Sequence, residues 1–257
     1  MNNHNVYLYR RECFDMNDLS GPKLPTFYLT APSPCPYLPG KLERKMFTYL
    51  SGLAAEDLND ALTHAGFRRS QNIAYRPACE DCNACISVRV AVNDFKLSKS
   101  YKRVLKINSD LSAARHAPET RRTQFDLLRK YLDERHNDGG MANMNSLEFM
   151  SMIEETPVDS HVVEYQEDEK LIACVLMDRL SDGYSMVYSF YEPDQKNRSL
   201  GTFMILDQIQ RTKEAGLDYL YLGYWISGCR KMLYKERFQP LEQLTKDGWQ
   251  PFIGSTF

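Results

Sequence analysis

Three cysteines at one repeated spacing, Cys79-x-x-Cys82-x-x-Cys85, follow directly on the string Gly66-Phe-Arg68-Arg69-Ser-Gln-Asn-Ile-Ala-Tyr75-Arg76-Pro-Ala. Spacings of three residues let thiolates swing round a tight turn onto one centre, the ligand pattern of zinc or an iron–sulfur cluster. Both centres usually take four ligands, so Cys35, within Pro34-Cys35-Pro36, is the expected fourth, with His64 or His116 as substitutes. The competing reading is three reduced thiols in a polar loop. Arg68, Arg69, Arg76 and Arg89 crowd the same stretch. A guanidinium is a planar fork that grips a carboxylate or phosphate through two bonds, and it is seldom buried unpaired. An anionic partner is therefore expected, with surface or intramolecular ion pairs as the alternative. Tyr75 could line the same pocket, or simply pack.

A second constellation is Tyr188-Ser-Phe-Tyr-Glu192-Pro-Asp194, then Arg198-Ser-Leu-Gly201-Thr202. It reads as a strand, a polar loop and a helix start, whose free amides and dipole make an anion site. Its plain counterpart is an ordinary strand–turn–helix connection. A third constellation is basic: Lys96, Lys99, Lys102, Arg103 and Lys106 recur at spacings of three and four, so a helix would gather them on one broad face. Such a face suits phosphates, or is simply solvated.

These residues need a frame. Leu58, Ala61, Leu62 and Ala65 recur at helical spacing, and Gly66 is placed to end that helix. Ile86, Val88, Val90 and Val92 alternate with Ser87, Arg89 and Ala91, which predicts a half-buried strand with Arg89 on its other face. The cysteine triplet thus lies in a loop feeding a strand. Six prolines, from Pro22 to Pro39, make residues 15–40 extended coil rather than helix or sheet. Farther on, Phe125, Leu128 and Leu132 mark a helix, and Asn137–Gly140 a turn or mobile loop. Strands are predicted over 161–165, 171–177 and 184–190, then a helix over 199–215, a strand over 217–224 and a short amphipathic helix over 229–238. That order describes a mixed α/β domain, with the boundary between two halves expected within 93–118.

The composition narrows the class. The 257 residues, 43% hydrophobic and 26% charged, suit an ordinary globular chain of one large or two smaller domains. Seven cysteines, an odd number, do not form a secreted disulfide framework; Cys13, Cys174 and Cys229 stand alone, and Cys174 is expected as a small core residue. A net charge of −2 argues against indiscriminate nucleic-acid binding. The opening MNNHNVYLYR lacks the apolar core of a signal peptide and no run is long enough to span a membrane, so no membrane partner and a cytoplasmic location are expected.

Taken together, Cys35-Pro-Tyr-Leu-Pro-Gly40, the string from Gly66 to Cys79, Ser199-Leu-Gly-Thr202, Tyr221-Leu-Gly-Tyr-Trp-Ile226 and Lys231-Met-Leu-Tyr-Lys235 resemble bacterial aminoacyl-tRNA–protein transferases. These motifs cover nearly the whole chain. Within the family the sequence is similar to the branch that moves leucine onto N-terminal Asp or Glu, with arginine transfer as the runner-up. The resemblance implies an α/β (α+β) architecture. A C-terminal acetyltransferase-like (GNAT-type) mixed sheet with helices, over 106–257, takes its acyl group from aminoacyl-tRNA. A smaller N-terminal domain, over 1–105, carries the cysteine loop and recognises the acceptor protein, which is marked for degradation by its first residue.

An aminoacyl ester is already activated, so such an enzyme needs orientation, a proton acceptor and donors for the developing oxyanion. Under this resemblance Arg76, and after it Arg68 or Arg69, is expected on the acceptor's carboxylate, with Tyr75 beside it. Lys99, Lys102, Arg103 and Lys106 would meet tRNA phosphates. Arg198, Gly201 and Thr202 would hold the terminal adenosine or its phosphate, and Glu192 and Asp194 are the candidate proton acceptors. No cofactor is required for transfer; a regulatory zinc or iron–sulfur centre on Cys35, Cys79, Cys82 and Cys85 is the expectation for the cysteines. Two readings from other classes are a coenzyme A-dependent N-acetyltransferase with a zinc-binding appendage, and a non-catalytic module that binds tRNA or protein.

Overall fold

The computed structural model describes residues 24–135 and 141–254; Cys13, Pro22, the opening segment and the turn expected at Asn137–Gly140 lie outside them. Strands β1 (Tyr28–Leu29), β2 (Ser33–Pro34), β3 (Leu42–Glu43) and β4 (Lys45–Tyr49) come first, then helix α1 (Ala55–His64), then β5 (Arg68–Ser70) and β6 (Ile73–Pro77). β1, β4, β6 and β5 lie in that order in one antiparallel sheet, and β2 pairs with β3 separately. The proline-rich stretch was expected to be free of sheet. It is extended as expected, yet it makes two pairings of two residues each, short enough that its prolines interrupt no long ladder. α1 forms at its predicted place, and Gly66 follows it with φ +85°.

The chain continues through β7 (Cys85–Ala91), α2 (Lys99–Ile107), β8 (Ser112–His116), α3 (Arg122–Arg135), α4 (Ser146–Glu154), β9 (Ser160–Glu167), β10 (Lys170–Arg179), β11 (Gly183–Tyr191), α5 (Leu200–Glu214), β12 (Tyr219–Ile226), β13 (Leu241–Thr245) and β14 (Gly248–Pro251). Their strands form an eight-stranded sheet in the order β14-β13-β7-β12-β11-β10-β9-β8. β9, β10 and β11 are an antiparallel meander, and α5 then crosses over to return β12 parallel to β11. This is the mixed sheet with helices expected of the second half, except that β7, which lies within 1–105, is one of its central strands, so the sheet does not stop at the boundary expected at 105/106. Alternate residues of its strands feed two cores. Val175 and Met177 face α2 and α5 through Tyr101, Met204 and Leu206, whereas Cys174 and Leu176 face α3 and α4 through Leu128, Leu132 and Phe149. Each such buried side chain contributes about 1.5–3 kcal/mol. Among the described residues no helix is long and apolar enough to cross a membrane.

Two local expectations are corrected. The segment predicted as an amphipathic helix over 229–238 is a 3-10 turn, Arg230–Arg237, held to β12 by Lys235 and by a Trp225–Glu236 hydrogen bond. Arg89 does not look onto an open face. β7 is a central strand between β13 and β12, and Arg89 is only 7% exposed. Its guanidinium stacks on Tyr219 and Trp249 and bonds Glu242 and Tyr221, residues of β12, β13 and β14 in the same sheet.

One feature of the large sheet positions everything that follows. β11 and β12 pair only between Gly183–Ser185 and Tyr219–Tyr221. Just beyond, Val187 is an extra residue in β11 against β10, and Leu222 is an extra residue in β12 against β7. An extra residue bends its strand and leaves backbone groups unpaired. Two bulges at one level therefore open the strands into a V.

Candidate functional site

Arg68 enters this V from β5. Its Nη2 donates to the carbonyls of Met186 (3.2 Å) and Val187 (2.8 Å), the groups released by the bulge of β11. The guanidinium lies against Gly223 of β12; a side chain there would start 1.7 Å from Arg68 Nη1. Gly223 is thus required by close approach, as well as by its φ of +71°. No carboxylate pairs with Arg68 among the described residues, so its remaining N–H groups are uncommitted. From the other arm, the buried Lys235 donates to the carbonyls of Leu222 (2.8 Å) and Tyr224. Burial, and after it the Arg68 charge, pushes the Lys235 amine well below its ordinary pKa. Arg68 and Lys235 thus hold the two released strand edges apart.

Tyrosines line the rest of the basin. The hydroxyls of Tyr37, Tyr188 and Tyr234 engage no hydrogen bond among the described residues, whereas that of Tyr224 lies 2.8 Å from the Gly66 carbonyl and 3.2 Å from that of Tyr75. Burial, then Tyr37, pushes Tyr188 up to about 12, and burial also raises Tyr37 and Tyr234. A phenol with a raised pKa stays protonated and remains a hydrogen-bond donor at neutral pH. Tyr234 feels both Arg68 and Tyr191, and the Tyr191 ring in turn packs on Tyr131 and against Gly201 at the start of α5. Tyr234 and Tyr191 thus connect the surroundings of Arg68 to the start of α5.

The residues singled out in the sequence have different fates. Arg69, next to Arg68, points the other way and is 5% exposed. Its Nε and Nη2 grip both oxygens of Asp178 at 2.6 and 2.7 Å, with Ser160 and the Gln71 carbonyl taking two more of its five donors, so the buried group is already committed to the protein. Arg76 is exposed and stacks on Phe67, on the face of β6 opposite Arg68. Tyr75 pairs across the sheet with Arg68 and shares its face. Arg198 is drawn to Asp110 and Glu167, and Asp110 is held at about 2 by that bond. Gly201 and Thr202 lie in the first turn of α5, which no side chain caps.

Glu192 and Asp194 both bond Lys130 of α3, at 2.6 and 2.7 Å, and Lys130 holds Asp194 below the ordinary carboxylate value. A carboxylate held as Asp194 is makes a weak proton acceptor. Lys99, Lys102, Arg103 and Lys106 stand exposed on α2 without acidic partners among the described residues. Tyr101, stacked on Phe238, anchors α2, and Asn108 at its end donates to the Arg198 carbonyl. The basic helix thus abuts the start of α5.

Cys35, Cys79, Cys82 and Cys85 line one cavity of about 200 Å³ together with Tyr37, Tyr75 and Tyr224. Burial, then Cys35, Cys79 and Cys82, pushes the Cys85 thiol up to about 12. Four thiols on one cavity fit the donor set of a zinc or iron–sulfur centre. As placed, though, no three His, Cys, Asp or Glu side chains among the described residues stand close enough to hold an ion. His64 and His116 are elsewhere: His64 bonds Asp182 and His116 faces Glu164.

Sequence reasoning named Arg68 but missed Lys235, Tyr37, Tyr224 and Tyr234 as site residues. All four sit inside motifs that carried the family resemblance, and the burial of Lys235 is visible only once the turn at 230–237 is folded.

Comparison with known proteins matches residues 33–103 to the family model for the N terminus of arginine-tRNA-protein transferase, and residues 123–245 to that for its C terminus. The aspartate/glutamate leucyltransferase of Parvibaculum lavamentivorans is 53% identical over 236 residues, covering 91% of this chain and 98% of that protein. Those of Rhizobium leguminosarum bv. trifolii and Methylorubrum extorquens are 52% and 54% identical, covering 94% and 88% of this chain and 97% and 95% of theirs. Among solved structures, L-PGS from Bacillus licheniformis is similar at 12% identity with a TM-score of 0.44, over 78% of this chain and 68% of that one, too remote to carry an inference.

Proposed function

The chain belongs to the aminoacyl-tRNA–protein transferase family, and we propose that it transfers leucine from leucyl-tRNA to the N-terminal amine of proteins beginning with Asp or Glu. The observation that carries the reading is Arg68, a guanidinium fixed by two carbonyls in an open V, with no acid of its own among the described residues. It is the group for the acceptor's side-chain carboxylate, ahead of Arg76, which lies on the other face, and of Arg69, which Asp178 occupies.

The acceptor's α-amine, with an ordinary pKa of about 7.7–8.0, has a usable neutral fraction at cellular pH. Its lone pair attacks the ester carbonyl carbon; the C–N bond forms, the C–O bond to the tRNA 3′ oxygen breaks, and that oxygen takes up the proton the amine releases. The hydroxyls of Tyr188, Tyr234 and Tyr37 are available donors for the oxyanion formed in between. The tRNA acceptor stem would lie on the unpaired cations of α2, with its terminal phosphate at the uncapped first turn of α5, around Gly201 and Thr202. Arg198 would support that turn through Asp110 and Glu167. Glu192 and Asp194 fit the bracing of α3 against the end of β11 better than proton transfer.

Cys35, Cys79, Cys82 and Cys85 would hold a zinc ion or an iron–sulfur cluster, which when bound supplies a cross-link and, as a cluster, redox sensitivity. That link would fix Tyr37 and Tyr75 at the rim of the basin. A cytoplasmic location accompanies the reading, because charged tRNA and reduced thiols meet there.

Transfer of labelled leucine from charged tRNA to peptides beginning Asp, Glu or Ala tests the proposal. Labelling of the Asp and Glu peptides alone is expected. Labelling with arginine instead would change the donor, and tRNA-independent acetylation by acetyl-coenzyme A would overturn the reading.

A further inference from the structure

Tyr28, Phe47, Tyr75 and Arg68 occupy a single register row across β1, β4, β6 and β5. Directly opposed residues of an antiparallel sheet share one face, so three rings lead in a line to the guanidinium in the V. The row is solvent-accessible: Tyr28 is 45% exposed, and its ring stacks on Phe47 with centroids 5.4 Å apart. Three strand spacings make the row about 14 Å long, the reach of roughly four residues of extended polypeptide.

The charge on this face decides what it fits. Its other cation, Lys45, is held by Glu43 at 2.8 Å. RNA phosphates call for a set of unpaired cations, and beyond Arg68 such a set lies on α2 instead. A row of rings without free charge suits apolar side chains of a peptide. Its far end coincides with the group assigned to the acceptor's first side chain.

We propose that Tyr28, Phe47 and Tyr75 form an extended acceptor subsite that binds the second to fifth residues of the substrate polypeptide and favours apolar or aromatic side chains there. This rests on Arg68 holding the first residue, and it adds a sequence preference beyond that residue. Edge strand β1, two residues long, carries the outermost ring, so the subsite extends to the rim of the sheet.

The test uses the full-length protein with leucyl-tRNA and a series of Asp-initiated peptides. Phe or Leu at positions two to five should raise kcat/KM over Gly or Glu there by roughly two- to tenfold per ring contact. An Asp-Ala dipeptide, too short to reach the row, sets the baseline. Tyr28→Ser and Phe47→Ser should erase the preference while leaving KM for leucyl-tRNA and turnover of the dipeptide unchanged. The wild-type peptide series stands as an independent arm should Phe47→Ser fail to fold. Equal kcat/KM across the series would overturn the subsite, and so would variants that raise KM for leucyl-tRNA but not for peptide, which would assign the face to RNA. Failure of every Asp and Glu peptide, dipeptide included, would remove the acceptor reading and the subsite with it.

Discussion

Arg68 and Arg69 are the same residue type at adjacent positions of one strand, yet they meet opposite surroundings. Arg69 is closed off on the side of Asp178 and Ser160, with its donors answered by a carboxylate, a hydroxyl and a carbonyl. Arg68, on the other face of β5, rests on two carbonyls and keeps donors free in the V. The first region is a joint between the small sheet and β10; the second is a binding place. The lesson is that a cation's role follows from whether the chain supplies its counter-ion. A paired cation should be felt in stability, and an unpaired one in binding.

The sharpest way to break this contrast is at the joint. Arg69→Met or Asp178→Ala leaves one buried charge unpaired, and removal of one partner from such a pair typically costs about 3–5 kcal/mol. A drop of that size in denaturant-derived stability is expected, with transfer by the remaining folded protein nearly intact. Full stability in Asp178→Ala would show that Arg69 is not a structural cation.

At the basin the expectation reverses. Arg68→Ala should leave stability close to wild type, because the lost bonds go to carbonyls beside an open space. It should lower kcat/KM for Asp peptides by about 10- to 150-fold, the weight of roughly 1.5–3 kcal/mol for hydrogen bonds to a charged group. The variant should also stop distinguishing Asp from Asn at the first position. If Arg76→Ala produced that phenotype instead, the carboxylate would lie on the opposite face of β6.

Much of the frame was legible in the sequence, and the contrast between the two arginines was not. α1, β7 and α5 carry the clean 3.6- or 2-residue periods that burial on one face imposes, and the structure has them. Cys174 was recognised as core by its apolar neighbours and is fully buried. β8, β13 and β14 went unpredicted, because short strands near a sheet edge expose too many residues to show a period. The adjacent pair Arg68-Arg69 is symmetric on paper. What separates them is Asp178, 109 residues farther along, which only the folded chain brings to Arg69. Lys235 escaped for a related reason, since its partners are backbone carbonyls freed by a bulge and no side-chain pattern announces a bulge.

A third cation tests the paired class through pH. His64 Nε2 bonds Asp182 at 2.9 Å and its Nδ1 meets the Asp60 carbonyl. The Asp182 bond raises its pKa from 6.5 to about 9, against the cost of burial. A group whose folded pKa is raised contributes stability that is complete below the unfolded value of 6.5 and declines as pH climbs through about 9. Melting temperature should therefore fall between those values in the wild type, and His64→Gln should be lower at pH 6 but flatter over the window. Parallel wild-type and variant curves would mean that His64 is not a protonated partner of Asp182.

The smallest effect belongs to the exposed, unpaired cations of α2, and it separates them from both arginines. Lys102 and Lys106 have no acidic partner among the described residues to lose, so their removal should not change stability. If they meet phosphates, each releases counter-ions on binding, and each substitution by Ala should reduce the slope of log affinity for leucyl-tRNA against log salt by about 0.7–0.9. Near physiological ionic strength this is a loss of only a few-fold in KM for tRNA, with kcat and the Asp preference untouched. Arg68→Ala should show the complement, an unchanged salt slope with the Asp preference gone. A shared phenotype would merge α2 and the V into one anion site. Separate phenotypes would assign the phosphates of the donor to α2 and the carboxylate of the acceptor to Arg68.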